Sequence, residues 1–334
     1  MTQQLKLRRV AAAEGSFLRR LSADQPARAV YLALALLIML GWLLFTLDGG
    51  RFLSQENIVG IQQRSAALGI VAIGQTLVIL AGGLDLSVAY LISLTTLVAA
   101  EIMAGAGANV PAAIAAVLAV SALVGLVNGL IVTRLQVHAF IATLGTALII
   151  RGVLDARYDG PAGSVPASFR HLGYDRIGPL AVSALLWAAV AVSAWLLLSR
   201  TRLGYRIYAV GGNTEVARLS GVRTERVMIA VHVLCSVCAG IAGLLLASRL
   251  GAGTPTAGTD GGYDLESIAA VVLGGTALAG GRGGVAGTVG GVLLLAVLDS
   301  IFNQMEVNSF AKDVVRGVVL VAALAIYARR RRTA

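Results

Sequence analysis

Two short segments combine a carboxylate with glycines that can interrupt a helix. Gly82-Gly83-Leu84-Asp85-Leu86-Ser87 follows one apolar stretch, and Gly261-Gly262-Tyr263-Asp264-Leu265-Glu266 repeats its pattern later in the chain. An ionisable group near hydrocarbon is expensive, so it usually faces a bundle interior or a watery cavity. Two roles remain open for Asp85: contact with a polar solute, or capping the amide groups of the helix that follows.

Further polar groups lie within apolar sequence. Asn128 could hydrogen-bond a solute or a neighbouring helix, and Thr143 adds a hydroxyl. Among the charged residues near predicted helix ends, Asp299 is expected to lie deepest in the membrane. Arg249 is expected to extend to the membrane interface. The predicted solute pathway comprises Gly82, Gly83, Asp85, Ser87, Asn128, Thr143, Glu266 and Asp299.

The sequence lacks the residues of an ATP site and of a metal centre. The two lysines are Lys6 and Lys312, and neither follows a glycine as a P-loop lysine does. His138, His171 and His232 are scattered and form no ligand cluster. We therefore expect no metal and no cofactor in this chain, and no enzymatic activity.

The elements that must position these groups are membrane helices. The 334 residues are 57% hydrophobic and 13% charged, against about 25% charged in soluble proteins. A bilayer core of about 30 Å needs roughly 20 apolar helical residues. We predict an all-α polytopic membrane protein of ten passes: 29–47, 65–82, 86–104, 110–133, 137–153, 179–198, 227–249, 265–280, 284–303 and 313–328.

The distribution of basic residues predicts the orientation. With both termini cytoplasmic, 18 of the 27 lysines and arginines lie in the predicted inside segments. The net charge of +10 therefore reflects membrane topology, and no nucleic-acid partner is expected. We divide the chain into a basic segment at 1–28, one transmembrane domain at 29–328 and a basic tail at 329–334, with 199–226 as the main cytoplasmic loop.

The two glycine–carboxylate segments suggest two related halves. Transporters are often built this way, and their sites tend to lie where glycine-interrupted helices occupy matching positions. Chance in a chain of 40 glycines is the alternative. Glycines four residues apart, Gly125 with Gly129 and Gly287 with Gly291, predict close helix packing.

Four blocks resemble the permease subunits of bacterial ABC importers for ribose, xylose, arabinose and galactofuranose, in the branched-chain amino acid and sugar permease superfamily. They are ALGIVAIGQTLVILAGGLDLSV at 67–88, GLVNGLIVTRLQVHAFIATLGTALIIRGV at 125–153, TRLGYRIYAVGGNTEVARLSGV at 201–222 and DLESIAAVVLGGTALAGGRGGVAGTVGG at 264–291. The resemblance implies a second permease subunit, usually identical, a separate cytoplasmic ATPase and a periplasmic sugar-binding protein. It also implies location in the inner membrane and movement of a monosaccharide by alternating access.

The resemblance further implies that 211–221 is a coupling helix resting on the ATPase; an ordinary solvated basic loop is the alternative. Asn213 or Thr214 could cap this helix, Glu215 suits its first turn and Gly221 could end it. The predicted coupling residues are Gly211, Gly212, Asn213, Thr214, Glu215, Ala217 and Gly221.

The particular cargo is left open by departures from the family pattern, such as His138-Ala139 in place of two prolines. The same architecture could carry a nucleoside, a polyol or a branched-chain amino acid. An ion-coupled secondary transporter is a further alternative, and it would work without an ATPase.

Overall fold

The computed structural model describes residues 25–47, 51–308, 310–312, 314–315 and 317–318. The helices are α1 (Gln25–Leu47), α2 (Gln55–Leu80), α3 (Val88–Met103), α4 (Val110–Arg134), α5 (Ala139–Arg157), α6 (Ala167–Tyr174), α7 (Val182–Arg200), α8 (Arg202–Gly212), α9 (Thr214–Leu219), α10 (Thr224–Leu250), α11 (Ala257–Asp260), α12 (Tyr263–Leu273) and α13 (Val285–Gln304). A 3₁₀ turn spans Gly107–Asn109, and β1 (Arg176–Ile177) pairs antiparallel with β2 (Leu180–Ala181).

The membrane-crossing helices follow the hydropathy pattern. Within the described ranges, seven helices are long and apolar enough to cross a membrane: α1, α2, α4, α5, α7, α10 and α13. The apolar helix α3 is shorter, at 16 residues. The polytopic all-α prediction is therefore confirmed over this part of the chain.

The prediction of a full span at 265–280 is wrong. Helix α12 ends at Leu273 after 11 residues, about 16 Å of helix, which is too short to cross a bilayer. The connection from Gly274 to Gly284 contains several glycines with positive φ, including Gly280 and Gly281, and such backbone cannot continue a right-handed helix. The predicted pass 313–328 lies almost entirely outside the described residues, as does most of the predicted terminal segments 1–28 and 329–334.

Helices α2 and α10 form the centre of the bundle and run antiparallel. Arg249 near the end of α10 donates to the Gln63 carbonyl near the start of α2, at 3.1 Å. A Cβ atom on Gly74 of α2 would come within 2.9 Å of the Cys235 Cα atom, so the helices touch at mid-length. Cys235 and Cys238 are free and buried, consistent with packing residues.

Helix α4 packs on α10 through the glycine pair predicted from spacing. A Cβ on Gly125 would lie 2.6 Å from the His232 carbonyl oxygen, and one on Gly129 would lie 2.6 Å from Ile229 Cα. Both separations are shorter than van der Waals contact, so only glycine permits this approach. Gly287 and Gly291 allow the same closeness between α13 and the α12 end.

The two glycine–carboxylate segments lie at opposite ends of this antiparallel pair. The first copy (82–87) follows α2, and the second copy (261–266) comes after the opposite end of α10. Each contains a glycine with positive φ, Gly82 at +88° and Gly262 at +58°. The positive φ falls on the first glycine of one copy and on the second glycine of the other, so the two turns differ and the relation between two halves stays a prediction.

Candidate translocation site and coupling segment

Four of the predicted pathway residues meet at the helix break after α2. The Asp85 carboxylate accepts hydrogen bonds from the Ser87 amide at 3.0 Å and the Ser87 hydroxyl at 2.6 Å. Asn128 of α4 donates to the Ser87 hydroxyl at 2.9 Å. The Thr143 hydroxyl of α5 accepts from the Leu86 amide at 3.1 Å. We call Asp85, Ser87, Asn128 and Thr143 the inner network.

The inner network is closed in this structure. All four side chains have zero solvent exposure. Asp85 Oδ2 and Asn128 Oδ1 have no hydrogen-bond partner among the described residues. Both atoms are acceptors, so they match the hydroxyl groups of a polar solute that could reach them after the helices separate.

The structure bears on the capping role of Asp85. Its carboxylate bonds to Ser87, the residue that immediately precedes α3, rather than to the amides of the first helical turn. It therefore fixes the turn that starts the helix, with its second oxygen still unpaired. Direct contact with a solute remains a prediction.

Glu266 and Asp299, the other predicted carboxylates, lie in a separate place. They line an open cavity of about 250 Å³, which we call the charged cavity. Its polar lining also includes Arg64, Arg249, Asp260 and Tyr263. Arg64 lies sixteen residues before Leu80 on α2, about 24 Å along the helix from the start of the inner network.

Sequence reasoning missed the two arginines of this cavity. Arg249 was expected to extend to the membrane interface, but its guanidinium bonds to Gln63 and lines the cavity. A usable signal existed, because Arg64, Arg249 and Asp299 are all charges within or at the ends of otherwise apolar helices. Intramembrane charges of opposite sign commonly face one another.

The coupling segment, residues 211–221, contains the short helix that its sequence predicts. Asn213 caps α9 by accepting from the Val216 amide at 3.0 Å, and Glu215 accepts from Arg218 at 2.8 Å. Gly221 has φ +80°, its amide bonds to the Arg218 carbonyl, and the Val222 amide bonds to the Ala217 carbonyl. These bonds form a Schellman ending, so the capping predictions are confirmed.

The start of the coupling segment packs on the helix break at backbone level. A Cβ on Gly211 would overlap the Leu80 carbonyl oxygen and lie 2.6 Å from the Gly281 amide nitrogen. The Gly281 amide itself donates to Leu80 at 2.9 Å. Because the first copy begins soon after Leu80, Gly211 packs against the residue that leads into the segment carrying Asp85.

A second link runs from α8 to the start of α13. The Tyr208 hydroxyl donates to the Gly283 carbonyl at 2.9 Å. Burial raises the pKa of Tyr208, so the phenol keeps its proton at neutral pH and remains a donor. Helix α8 therefore contacts both the α2 end and the α12–α13 connection.

The predicted coupling residues divide into inward and outward groups. Gly211 packs against the bundle and Ala217 is 4% exposed, so neither can contact a partner from outside. The outward group comprises Gly212, Asn213, Thr214, Glu215 and Gly221. Sequence reasoning missed two apolar side chains on the exposed side of α9, Val216 and Leu219, at 57% and 79% exposure.

Comparison with known proteins identifies the family. The model described as branched-chain amino acid transport system / permease component matches residues 57–324. The ribose import permease protein of Escherichia coli strain K12 is 43% identical over 282 residues, covering 82% of this chain and 86% of the relative. The galactose/methyl galactoside import permease protein of Haemophilus influenzae is 32% identical over 317 residues, covering 89% and 93%. The xylose transport system permease protein of E. coli strain K12 is 33% identical over 353 residues, covering 87% and 88%.

The chain belongs to this family of transport-system permease components. It is a multi-pass protein of the inner membrane, with seven membrane-crossing helices in the described ranges. No solved structure matches it significantly.

Proposed function

We propose that this chain is the membrane-spanning permease subunit of an ATP-binding-cassette importer for a monosaccharide. Its family and its sugar-permease relatives support the class. The observation that carries the mechanism is the direct contact of the coupling segment with the helix break at Leu80.

The partner that moves the permease is a separate cytoplasmic ATPase. A coupled conformational change requires that this partner contact the coupling segment differently in its two states. Val216 and Leu219 offer apolar contacts on exposed α9, and the loop 199–226 carries six arginines against two glutamates. This surface suits a groove with apolar walls and acidic edges.

The inner network acts as the inner gate. In its closed form it joins the first copy to α4 and α5 through three side-chain hydrogen bonds, and the Ser87 hydroxyl that accepts from Asn128 also donates to the Asp85 carboxylate. A hydrogen bond contributes about 0.5–1.5 kcal/mol, and one to a charged group about 1.5–3 kcal/mol. Displacement of Gly211 by the ATPase would break a few such bonds. The freed groups of the inner network would then hydrogen-bond to the sugar hydroxyls.

Two further partners complete the importer. A second permease subunit, of identical sequence, forms the other half of the pore, and a periplasmic sugar-binding protein delivers the cargo and provides most of the selectivity. The residues 82–87, 128, 143, 266 and 299 line the pathway in this proposal. ATP is bound by the partner ATPase, and the chain itself uses no cofactor or metal.

D-Ribose is the first cargo to test, because relatives named for ribose import reach 43% identity while those named for xylose and galactose stand at 33% and 32%. A branched-chain amino acid is the second candidate, favoured by the description of the family model. Uptake of labelled ribose in the presence of excess unlabelled xylose, galactose or leucine separates these cargoes.

Uptake of labelled ribose by right-side-out vesicles tests the proposal. The binding protein is added outside, and the ATPase and ATP are on the inside. We expect uptake to need ATP and to be blocked by vanadate. Gly212→Trp should abolish it while the protein still inserts, because a Cβ on Gly212 would meet no atom within 4 Å, so the new side chain meets only the partner. Gly160→Trp is the matched control, since Gly160 also has open space around it. Uptake by Gly212→Trp as fast as by Gly160→Trp and wild type would refute the coupling assignment.

A further inference from the structure

The charged cavity has the composition of a carbohydrate site. Arginine and carboxylate groups from α2, α10, α12 and α13 line one space, with Tyr263 beside them. Carboxylates accept and guanidinium groups donate in fixed directions, so together they match neighbouring hydroxyls that both donate and accept. The ring of Tyr263 adds a flat apolar surface beside a hydroxyl, a combination that suits the mixed faces of a sugar ring.

The size of the cavity suits one small ring. Its volume is about 250 Å³, slightly below the roughly 300–1,000 Å³ of pockets that hold drug-sized ligands. The floor is apolar or weakly polar and buried, formed by Ser65, Leu68 and Ala296 at 2%, 7% and 7% exposure. A monosaccharide fits this space.

The guanidinium of Arg249 is held in place. It donates to the Gln63 carbonyl at 3.1 Å, and the backbone carbonyl of Arg249 accepts from Tyr174 at 2.8 Å. A preorganised donor loses less conformational freedom on binding than a free surface arginine. This anchoring distinguishes the cavity from a chance cluster of surface charges.

The position of the cavity fits entry from the side opposite the coupling segment. Arg249 is in the last turn of α10, whose first residue Thr224 follows the coupling segment closely. The second copy contributes Tyr263 and Glu266 to the cavity, as the first copy contributes Asp85 and Ser87 to the inner network. One copy therefore forms an open site while the other forms a closed gate.

We propose that the charged cavity is a monosaccharide-binding subsite, in which the sugar contacts Arg64, Arg249, Tyr263, Glu266 and Asp299 before the inner network opens. This inference rests on the proposed function, because it takes the transported sugar as its ligand. It assigns sugar contact to two arginines and a tyrosine on the periplasmic side. Binding is weak, because a tight subsite would slow release.

Protection of introduced cysteines tests the subsite. Ala296→Cys and Asp260→Cys each place a thiol in the cavity lining, where Asp260 is exposed, and Asp155→Cys places one on an exposed part of α5 outside it. The variants are made in a Cys235→Ala/Cys238→Ala background, because Cys238 at 8% exposure is as accessible as Ala296 at 7%. The assembled importer in membranes is treated with a charged methanethiosulfonate reagent, with and without high concentrations of D-ribose, and wild-type ribose uptake is measured in parallel.

We expect ribose to slow modification at positions 296 and 260 severalfold and to leave position 155 unchanged. Equal modification rates with and without ribose at both lining positions, in an importer that takes up ribose, would overturn the subsite and leave the proposed function intact. Failure of the wild-type importer to take up ribose, xylose or galactose would overturn both. Where one cysteine variant fails to assemble, the other carries the test.

Discussion

Two adjacent glycines, Gly211 and Gly212, should respond oppositely to the same small substitution. Gly211→Ala places a methyl group where it would overlap the Leu80 carbonyl oxygen and lie 2.6 Å from the Gly281 amide nitrogen. Gly212→Ala places the same group in open space at the end of the same helix. The pair therefore isolates the backbone contact between the coupling segment and the helix break.

The magnitude for Gly211→Ala follows from the contacts. Overpacking costs about 1–3 kcal/mol. Separation of the two backbones also threatens the 2.9 Å bond from the Gly281 amide to Leu80, and an unpaired buried amide costs about 1–3 kcal/mol. Alanine regains up to about 1 kcal/mol of helix propensity. The net result is destabilisation of about 1–6 kcal/mol, whereas Gly212→Ala is neutral or stabilising by up to about 1 kcal/mol.

The assay combines stability with coupling. The midpoint temperature for loss of the monodisperse peak in detergent should fall by several degrees for Gly211→Ala and hold or rise for Gly212→Ala. ATPase activity of the assembled importer should lose its stimulation by loaded binding protein in Gly211→Ala. A Gly211→Ala variant as stable and as well coupled as wild type would refute the backbone-contact account.

Three other predictions concern the coupling helix and the inner network. Asn213→Ala removes the cap of α9 and should cost about 0.5–2 kcal/mol, seen as faster amide exchange at 214–219; unchanged exchange would contradict it. Gly221→Ala meets no neighbouring atom but must hold φ +80°, so we expect about 1–2 kcal/mol of strain and weaker ATPase binding, and unaltered binding would count against the Schellman ending. Asn128→Leu leaves the Ser87 hydroxyl without its donor and should raise ATP-independent sugar leakage through vesicles, whereas Val127→Leu, a change at the exposed neighbouring position of α4, should not.

The positions of the membrane-crossing helices were predictable from hydropathy. Backbone groups in a bilayer must bond within their own helix, so long uncharged stretches predict α1, α4, α7 and α10 within a few residues. The same rule failed at α12, because apolar residues continue through the glycine-rich connection after Leu273. Hydropathy does not distinguish an apolar turn from an apolar helix.

The site was predictable where its residues are close in sequence. Asp85 and Ser87 share one turn, and the glycines before them signal a break, so the centre of the inner network follows from local pattern. The charged cavity gathers Arg64, Arg249 and Asp299 from three helices far apart in sequence. Only the antiparallel packing of α2 on α10 brings the two arginines together, and no single segment encodes it.

The central claim is that this chain is a pore moved by a separate ATPase that grips the coupling segment. The most direct measurement is ribose accumulation in proteoliposomes that contain the permease alone, or the permease with its ATPase, binding protein and ATP. The account predicts accumulation against a gradient only in the complete system, and none with Gly212→Trp. Accumulation by the permease alone, driven by an ion gradient without nucleotide, would contradict it.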